Sequence, residues 1–180
     1  MSTTEWTFDP SHSTVGFTVR HLMVTKVHGR FHKWSGQLVI DDTDITKSTV
    51  NVAIETASVD TKEEKRDAHL ASPDFFNSEK YPRMTFKGTR IEKKGNDLLV
   101  TGELFLNGVT KTIALEVELT DTVKDPWGGT RRGFEAKGSI SRKDFGLTWN
   151  AALETGGVVV GDEVKINLDI QAIKAAALAA

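Results

Sequence analysis

Residues 98–119 read LLVTGELFLNGVTKTIALEVEL, and the prediction of the fold starts from this stretch. Apolar or small residues occupy every second position through Val100–Leu106 and again through Ile113–Leu119. This period of two is the pattern of a strand with one apolar and one polar face. The Asn107-Gly108 pair between the two segments is typical of a tight hairpin turn. The stretch therefore predicts two antiparallel strands joined by a hairpin.

The same alternation recurs along the rest of the chain, so we predict eight strands in total. Most of them have one apolar and one wet face, which is the antiparallel pattern, and Lys94–Asp97 is a second hairpin signal. The fold class is therefore all-β, either an up-and-down barrel or a sandwich. The six further segments are residues 14–20, 33–40, 50–55, 83–87, 134–140 and 164–170.

Two short helices are expected in the connections. Thr61 can cap a helix over Lys62–Leu70, because Glu64 stands where a capping box needs it. A second short helix is expected over His21–Val27. The C-terminal residues, 174–180, are expected to fray.

Length and composition limit the class of protein. The chain has 180 residues, no cysteine and a net charge of −2, from 23 Lys+Arg against 25 Asp+Glu. We expect a single domain over residues 1–180 with its core over about 5–172, no disulfide or thiol nucleophile, and no nucleic-acid partner. No segment is apolar enough to span a membrane, and no signal peptide is recognised. The expected location is cytoplasmic, or periplasmic or secreted if the chain is a trimmed mature form.

Eight strands can close a barrel whose interior is either filled by side chains or holds one ligand. Small residues on the inward faces would allow room for a cavity, although glycines also mark bends. The small inward residues are Gly16, Gly36, Gly102, Ala136 and Gly138.

Metal and catalytic motifs are weak. His28 and His32 have a spacing that suits metal ligands on a helix, but ordinary surface histidines are favoured. The Asp41–Asp44 cluster lacks the glycine and glutamate of a calcium loop, so Asx turns are favoured. Gly156-Gly157 before three valines is interpreted as a turn into an apolar segment. No nucleophile or phosphate-binding motif occurs, although scattered Ser, His and Asp residues could assemble an acid–base site.

The helix after Thr61 carries a polar group, Arg66, Asp67 and His69, followed by Phe75 and Phe76. We favour Arg66 and Asp67 as a hydrogen-bonded anchor for this connection over a contact for a ligand head group. The two phenylalanines are interpreted as a plug in the barrel mouth rather than a ligand gate.

An ordered set of short motifs resembles the YceI family over about residues 5 to 172. No single motif is catalytic, and the specificity lies in their order. The matching stretches are Trp6–Ser13, Val15–His21, Gly29–Phe31, Val59–Thr61, Arg66–Leu70, Asp74–Phe76, Tyr81–Phe86, Gly102–Thr110 and Ser141–Leu147.

The resemblance implies a lipocalin-like, eight-stranded antiparallel barrel that binds a long isoprenoid or similar lipid for storage or transport. It implies that the functional residues form a lining rather than a catalytic set, and we expect no cofactor and no metal. One alternative is an enzyme acting on a lipid-like substrate with His21, His69 or Asp67 as acid or base. Another is a filled barrel that serves as an interaction domain. A homodimer is left open.

The inward faces and the motif phenylalanines together predict an apolar ligand lining. Polar residues near the mouth are candidates for head-group contacts: His21, Arg66, Asp67, His69 and Arg142. The predicted apolar lining is Phe17, Val19, Phe31, Leu38, Ile40, Val52, Ile54, Phe75, Phe76, Met84, Phe86, Leu104, Leu106, Ile113, Leu115, Val117, Phe134, Ile166 and Leu168.

Overall fold

The computed structural model describes residues 2–151 and 159–176, which form twelve strands and one α-helix, α1 (Glu64–Ala71). Short 3₁₀ turns occur in four of the connections. The strands in chain order are β1 (Thr3–Phe8), β2 (Thr14–His21), β3 (Thr25–Phe31), β4 (Trp34–Asp41), β5 (Thr49–Glu55), β6 (Val59–Asp60), β7 (Arg83–Lys94), β8 (Asp97–Leu106), β9 (Val109–Leu119), β10 (Val123–Lys124), β11 (Thr130–Ser141) and β12 (Val160–Lys174).

Eight of these strands close into a ring, which confirms the predicted eight-stranded antiparallel barrel. Their order is β1, β4, β5, β7, β8, β9, β11 and β12, and the ring closes because β12 pairs with both β11 and β1. Strand β12 is long enough to take two partners on one side. Its last three residues pair with β1, and its first ten lie beside β2. Strand β2 also pairs with β3, and β3 pairs with β6, so these strands lie outside the ring.

All eight predicted segments are strands, but β1, β3 and the two-residue strands β6 and β10 were not predicted. Strand β1 takes a place in the ring, whereas the predicted β2 lies beside β12. The alternation in β1 is short, yet it buries Trp6 against Leu38, Ile40 and Ala172. This cluster packs the start of the chain against the end of β12.

The predicted helix over His21–Val27 is wrong, because this segment forms the β2–β3 hairpin. The Val24 N–H donates to the His21 carbonyl at 3.0 Å, and His21 pairs with Thr25 across the turn. Valine and threonine are poor helix formers and pack well on a sheet. Strand pairing therefore overrides the short apolar run that suggested a helix.

The other predicted helix exists, but Thr61 is not its cap. Helix α1 is preceded by Glu63, whose carboxylate accepts the backbone N–H groups of Lys65 and Arg66. The residue between, Lys62, is left-handed with φ of 64°. Thr61 is instead buried and donates both its N–H and its hydroxyl to Asp67.

The predicted turns at Asn107-Gly108 and at Lys94–Asp97 are confirmed. Asn107 and Gly108 have φ of 52° and 75°, and Gly95 has φ of 62°. These left-handed values are the conformations that Asn and Gly adopt most easily.

The aspartate cluster forms the predicted Asx turns. Asp41 accepts the N–H groups of Thr43 and Asp44, and Asp44 accepts that of Thr46. The Thr43 hydroxyl donates to Asp41 and the Thr46 hydroxyl to Asp44, and these hydroxyl bonds, followed by the N–H bonds, lower the pKa of both carboxyls. The cluster is therefore explained by turn formation.

The predicted fraying does not begin at Lys174. Lys174 pairs with Trp6, and the N–H of Ala175 donates to the Glu5 carbonyl. The remainder of the expected tail, 177–180, and the predicted turn at Gly156-Gly157 lie outside the described residues.

Most of the inward glycines do not make the room that was expected of them. A Cβ on Gly102 would lie 2.5 Å from the Phe86 ring, and one on Gly138 would lie 2.8 Å from the Leu115 side chain. A larger neighbour therefore covers each of these glycines. Of the five small residues, Gly16 and Ala136 border the interior space, and Gly36, Gly102 and Gly138 do not.

Candidate functional site

The barrel encloses a cavity of about 580 Å³. This volume lies within the roughly 300–1,000 Å³ range of small-molecule sites in proteins. All nineteen residues of the predicted apolar lining border it, although their contact with a ligand remains a prediction. The filled-barrel alternative is wrong.

The side chains that face the cavity are incompletely covered. Along β12, Val164, Ile166 and Leu168 border the cavity and are only half-buried, whereas their outward neighbours such as Lys165 are exposed. An inward apolar side chain in a filled barrel would be covered on all sides. Incomplete cover of inward-facing side chains is what an unfilled interior produces.

The two ends of the cavity differ in chemistry. At the end far from Val160, the wall includes apolar side chains from several elements, which the predicted lining did not include. Leu119 belongs to a strong alternation and could have been found by extending that pattern, whereas Ile45 lies in a 3₁₀ turn without periodicity. These far-end residues are Ile45, Ile91, Leu98 and Leu119.

The opposite end is polar, and we call it the mouth. Two of its wall residues, Arg20 and Lys65, are also solvent-exposed, so the cavity opens to solvent here. Within residues 2–151 and 159–176, every titratable side chain that borders the cavity is basic. The mouth consists of Arg20, His21, Lys65, Arg66, His69, Arg142 and Trp149.

Arg142 connects the backbone segments that form the mouth. It is 2 % exposed, and its guanidinium donates to four carbonyl groups, those of Leu147, Trp149, Val160 and Gly161, at 2.7–3.2 Å. Burial lowers the pKa of Arg142, and Asp162, 3.7 Å away, opposes that shift. Because backbone carbonyls occupy its guanidinium, Arg142 supports the wall rather than offering free donors to a head group.

Asp67 does not border the cavity, which corrects its assignment as a head-group contact. It accepts the N–H of Thr61 at 2.9 Å and the hydroxyl at 2.5 Å. Arg66 donates to the same threonine, to its hydroxyl and its carbonyl, each at 2.7 Å. The two charged residues therefore anchor α1 through Thr61, as the favoured structural interpretation held, and Arg66 alone also reaches the wall.

His69 lies in an aromatic cluster at the mouth. Its ring is edge-on to Trp149 at 4.6 Å between centroids and to Phe75 at 5.1 Å, and its Nε2 lies 2.9 Å from a carboxylate oxygen of Asp74. Phe75 is buried, as the plug interpretation requires. Trp149 lies in a loop and had no periodic signal in the sequence.

The remaining histidines have separate partners. His28 Nδ1 lies 3.0 Å from the Thr18 hydroxyl, and His32 Nε2 lies 2.6 Å from Asp60. In the described part of the chain, no three His, Asp or Glu side chains are grouped to hold a metal ion.

For the enzyme alternative, the histidine–carboxylate contact at the cavity wall among the described residues is that of His69 with Asp74, and Asp74 itself does not border the cavity. Ser11, His12 and Asp9 do meet one another, but Ser11 and Asp9 both lie against the same Nδ1 of His12, and none of the three borders the cavity. That arrangement cannot relay a proton from serine through the two ring nitrogens to aspartate.

No helix in residues 2–151 and 159–176 combines the length and apolar character needed to cross a membrane.

An antiparallel barrel with an apolar interior and one polar mouth defines a binding-type barrel. The chain belongs to the YceI family, since the family model described as YceI-like domain matches residues 6–172. Protein YceI of Escherichia coli O17:K52:H18 is 46 % identical over 136 residues, which are 76 % of this chain and 71 % of that protein.

Two solved structures show the same fold. BcnA of Burkholderia cenocepacia has a TM-score of 0.80 at 24 % identity, covering 91 % of this chain and 98 % of BcnA. A polyisoprenoid binding domain from Saccharophagus degradans has a TM-score of 0.67 at 20 % identity, covering 94 % of this chain and 98 % of that domain.

Proposed function

We propose that this protein binds a long-chain isoprenoid or similar amphiphilic lipid in the barrel and stores or carries it unchanged. The observation that carries the proposal is the wall of half-buried apolar side chains, such as Val164 and Ile166, around an unfilled cavity. The fold shared with the polyisoprenoid binding domain of Saccharophagus degradans supports the same class of ligand.

The chemistry of the wall suits such a ligand. An isoprenoid tail is branched hydrocarbon with almost no capacity for hydrogen bonds, and each CH₂ that leaves water contributes about 0.8 kcal/mol. A wall of aliphatic and aromatic side chains discriminates tails by length and width rather than by polar contacts. Any selection of the head group belongs to the basic mouth, where His21, Arg66 and His69 remain the candidate contacts.

Native mass spectrometry of freshly purified protein, followed by solvent extraction, tests the proposal. We expect a mass excess that extracts as a long-chain lipid. We also expect stripped protein to take up added polyprenol, which is recovered unchanged after incubation. Bare protein that takes up no polyprenol would contradict binding, and a chemically altered polyprenol would contradict carriage without catalysis.

A matched pair of variants on β12 locates the ligand. Ile166→Trp places a larger ring in the cavity, so we expect polyprenol uptake to fall at least about 10-fold by steric exclusion. Lys165→Trp adds the same ring to the exposed face of the same strand and should leave uptake unchanged. Circular dichroism checks that both variants fold, and equal uptake by the two would place the ligand elsewhere.

A further inference from the structure

The β2–β3 hairpin carries an exposed apolar tip beside the mouth. Leu22, Met23 and Val24 are 40 %, 62 % and 75 % exposed. The residue before them, His21, borders the cavity, and the N–H of Leu22 donates to the Val159 carbonyl, which is also at the wall. The tip therefore projects from the rim of the opening.

Folding does not explain the choice of residues at this tip. Leu22 and Met23 have φ of 52° and 59°, a left-handed conformation that bulky side chains adopt at a cost. The hairpin at Asn107-Gly108 has the same pair of left-handed residues and uses the side chains that favour them. Apolar side chains at positions 22 and 23 thus oppose the local backbone preference.

The charges beside the tip also oppose folding. Arg20 and Lys26 are register partners across the hairpin and both are exposed. Like charges directly opposite on a sheet destabilise the pair, and in the described part of the chain neither makes an ion pair with a carboxylate. Residues 20–26 contain no Asp or Glu, and Lys65 adds another exposed cation at the mouth.

We propose that the mouth docks on an anionic lipid bilayer, with Leu22, Met23 and Val24 inserted at the interface and Arg20 and Lys26 against the lipid phosphates. An apolar tip flanked by cations is the combination that binds the headgroup region of such a surface. Docking in this orientation places the cavity opening against the membrane, where a lipid can pass without crossing water. The inference goes beyond the proposed function, because it holds whichever lipid fills the barrel.

Vesicle flotation tests the docking surface with lipids that contain no isoprenoid. We expect the full-length protein to bind phosphatidylcholine vesicles containing phosphatidylglycerol, to bind pure phosphatidylcholine vesicles less, and to lose binding as salt is raised. Since each Lys or Arg near an anionic surface contributes roughly 5-fold in affinity, Arg20→Gln with Lys26→Gln should lower binding by about 25-fold.

The double variant Leu22→Asn with Met23→Gly removes the apolar tip while installing the residues that the turn prefers. We expect vesicle binding to fall at least about 10-fold, because the removed side chains supply the inserted apolar area. The thermal midpoint should be unchanged or higher, so misfolding does not account for the loss. Trp127→Ala is the matched control, because Trp127 is 82 % exposed on the β10–β11 turn, beside the other end of β12.

Three outcomes would overturn the docking proposal: no binding of the unmodified protein to either vesicle, equal binding by the tip variant, or loss of binding only with Trp127→Ala. A dimer that dissociates in the tip variant, without vesicle binding, would instead assign the tip to a second copy of the chain. Because the vesicles carry no isoprenoid, failure of lipid uptake in the cavity would leave this test intact.

Discussion

At the scale of single residues, Asp9 connects the first residues of the chain to strands β11 and β12. Its carboxylate accepts hydrogen bonds from Ser11, Arg131 and Gln171, and it lies 2.9 Å from His12 Nδ1. The pKa of Asp9 lies well below its usual range. The hydrogen bond from Ser11 is the largest cause of this shift, and the hydrogen bond from His12 is the second. Desolvation opposes this shift and Arg131 adds to it.

The lowered pKa of Asp9 predicts a specific dependence of stability on pH. Because the folded-state pKa lies below the unfolded value, the ionised carboxylate stabilises the protein above pH ~4, and this contribution is lost as pH falls toward the folded-state pKa. Asp9→Asn should lower the free energy of unfolding at neutral pH by about 1–3 kcal/mol and make the acid-side decline shallower. Denaturant unfolding at several pH values measures both, and an unchanged acid-side decline would refute the assignment.

Asp169→Asn is the matched control for Asp9, since Asp169 is exposed on the outer face of β12. It should leave stability near neutral pH within about 0.5 kcal/mol of the unmodified protein.

The alternation of side chains along each strand predicted which residues form the cavity wall, but not which glycines are covered by a neighbouring side chain. Most predicted lining residues could be placed inward because side chains of a strand alternate between its faces, whereas Phe31, Phe75 and Phe76 came from the family motifs. The covering of Gly102 by the Phe86 ring depends on the register between β7 and β8. No local pattern reports that register, and so the sequence suggested empty space at this glycine where the structure has an aromatic ring.

Helix α1 shows what determines structure at the scale of an element. It has eight residues, and isolated helices shorter than about 12–15 residues are marginal in water. The Glu63 cap and the bonds of Thr61 to Asp67 and Arg66 hold it against the barrel. Its existence was predictable from the capping signal, but the tertiary bonds of Thr61 moved the cap to Glu63.

Thr61→Val tests this anchor because valine keeps the shape and removes the hydroxyl. We expect the free energy of unfolding to fall by about 1–2 kcal/mol, and amide hydrogen exchange to accelerate in Glu64–Ala71 more than in β7–β9. Thr110→Val, at an exposed position of β9, is the control and should change neither. Equal acceleration in all strands would show that Thr61 contributes to global stability without anchoring α1.

Short apolar runs limited prediction at the same scale. Leu22, Met23 and Val24 fit a helical face as well as a hairpin tip when only local periodicity is considered. The pairing of β2 with β3 decided between them, and that pairing depends on the neighbouring β12. The residues that the sequence misassigned are the ones that form the proposed docking tip, where local preference and function disagree.

The number of strands in the barrel and their antiparallel direction could be predicted from the sequence, but not which strands close the ring. The eight predicted segments and the eight strands of the ring are different sets, because β12 has fifteen residues and pairs with β2 and then with β1 on the same side. A strand with two successive partners follows from long-range register, which periodicity does not report.

Under the proposed function, the length of the whole cavity limits the length of lipid tail that it can cover. Its wall includes Val160 at the mouth and Ile170, ten residues further along β12, a path of roughly 33 Å at 3.3 Å per residue. Apolar side chains, among them Leu119, line the far end. Affinity for isoprenoid alcohols should therefore rise with the number of units until the tail reaches this end and then level off, because further units stay in water.

Leu119→Trp should move this plateau to shorter alcohols, since the larger ring shortens the far end of the cavity. Glu118→Trp adds the same ring to the outer face of β9 and should leave the plateau unchanged. Thermal shift with each alcohol measures the plateau, because a ligand that binds only the folded state stabilises it by about 2.7 kcal/mol at a concentration 100 times its Kd. Affinity that rises with length without a break would show that every added unit is still covered by apolar surface, and the far end would then not limit the bound length.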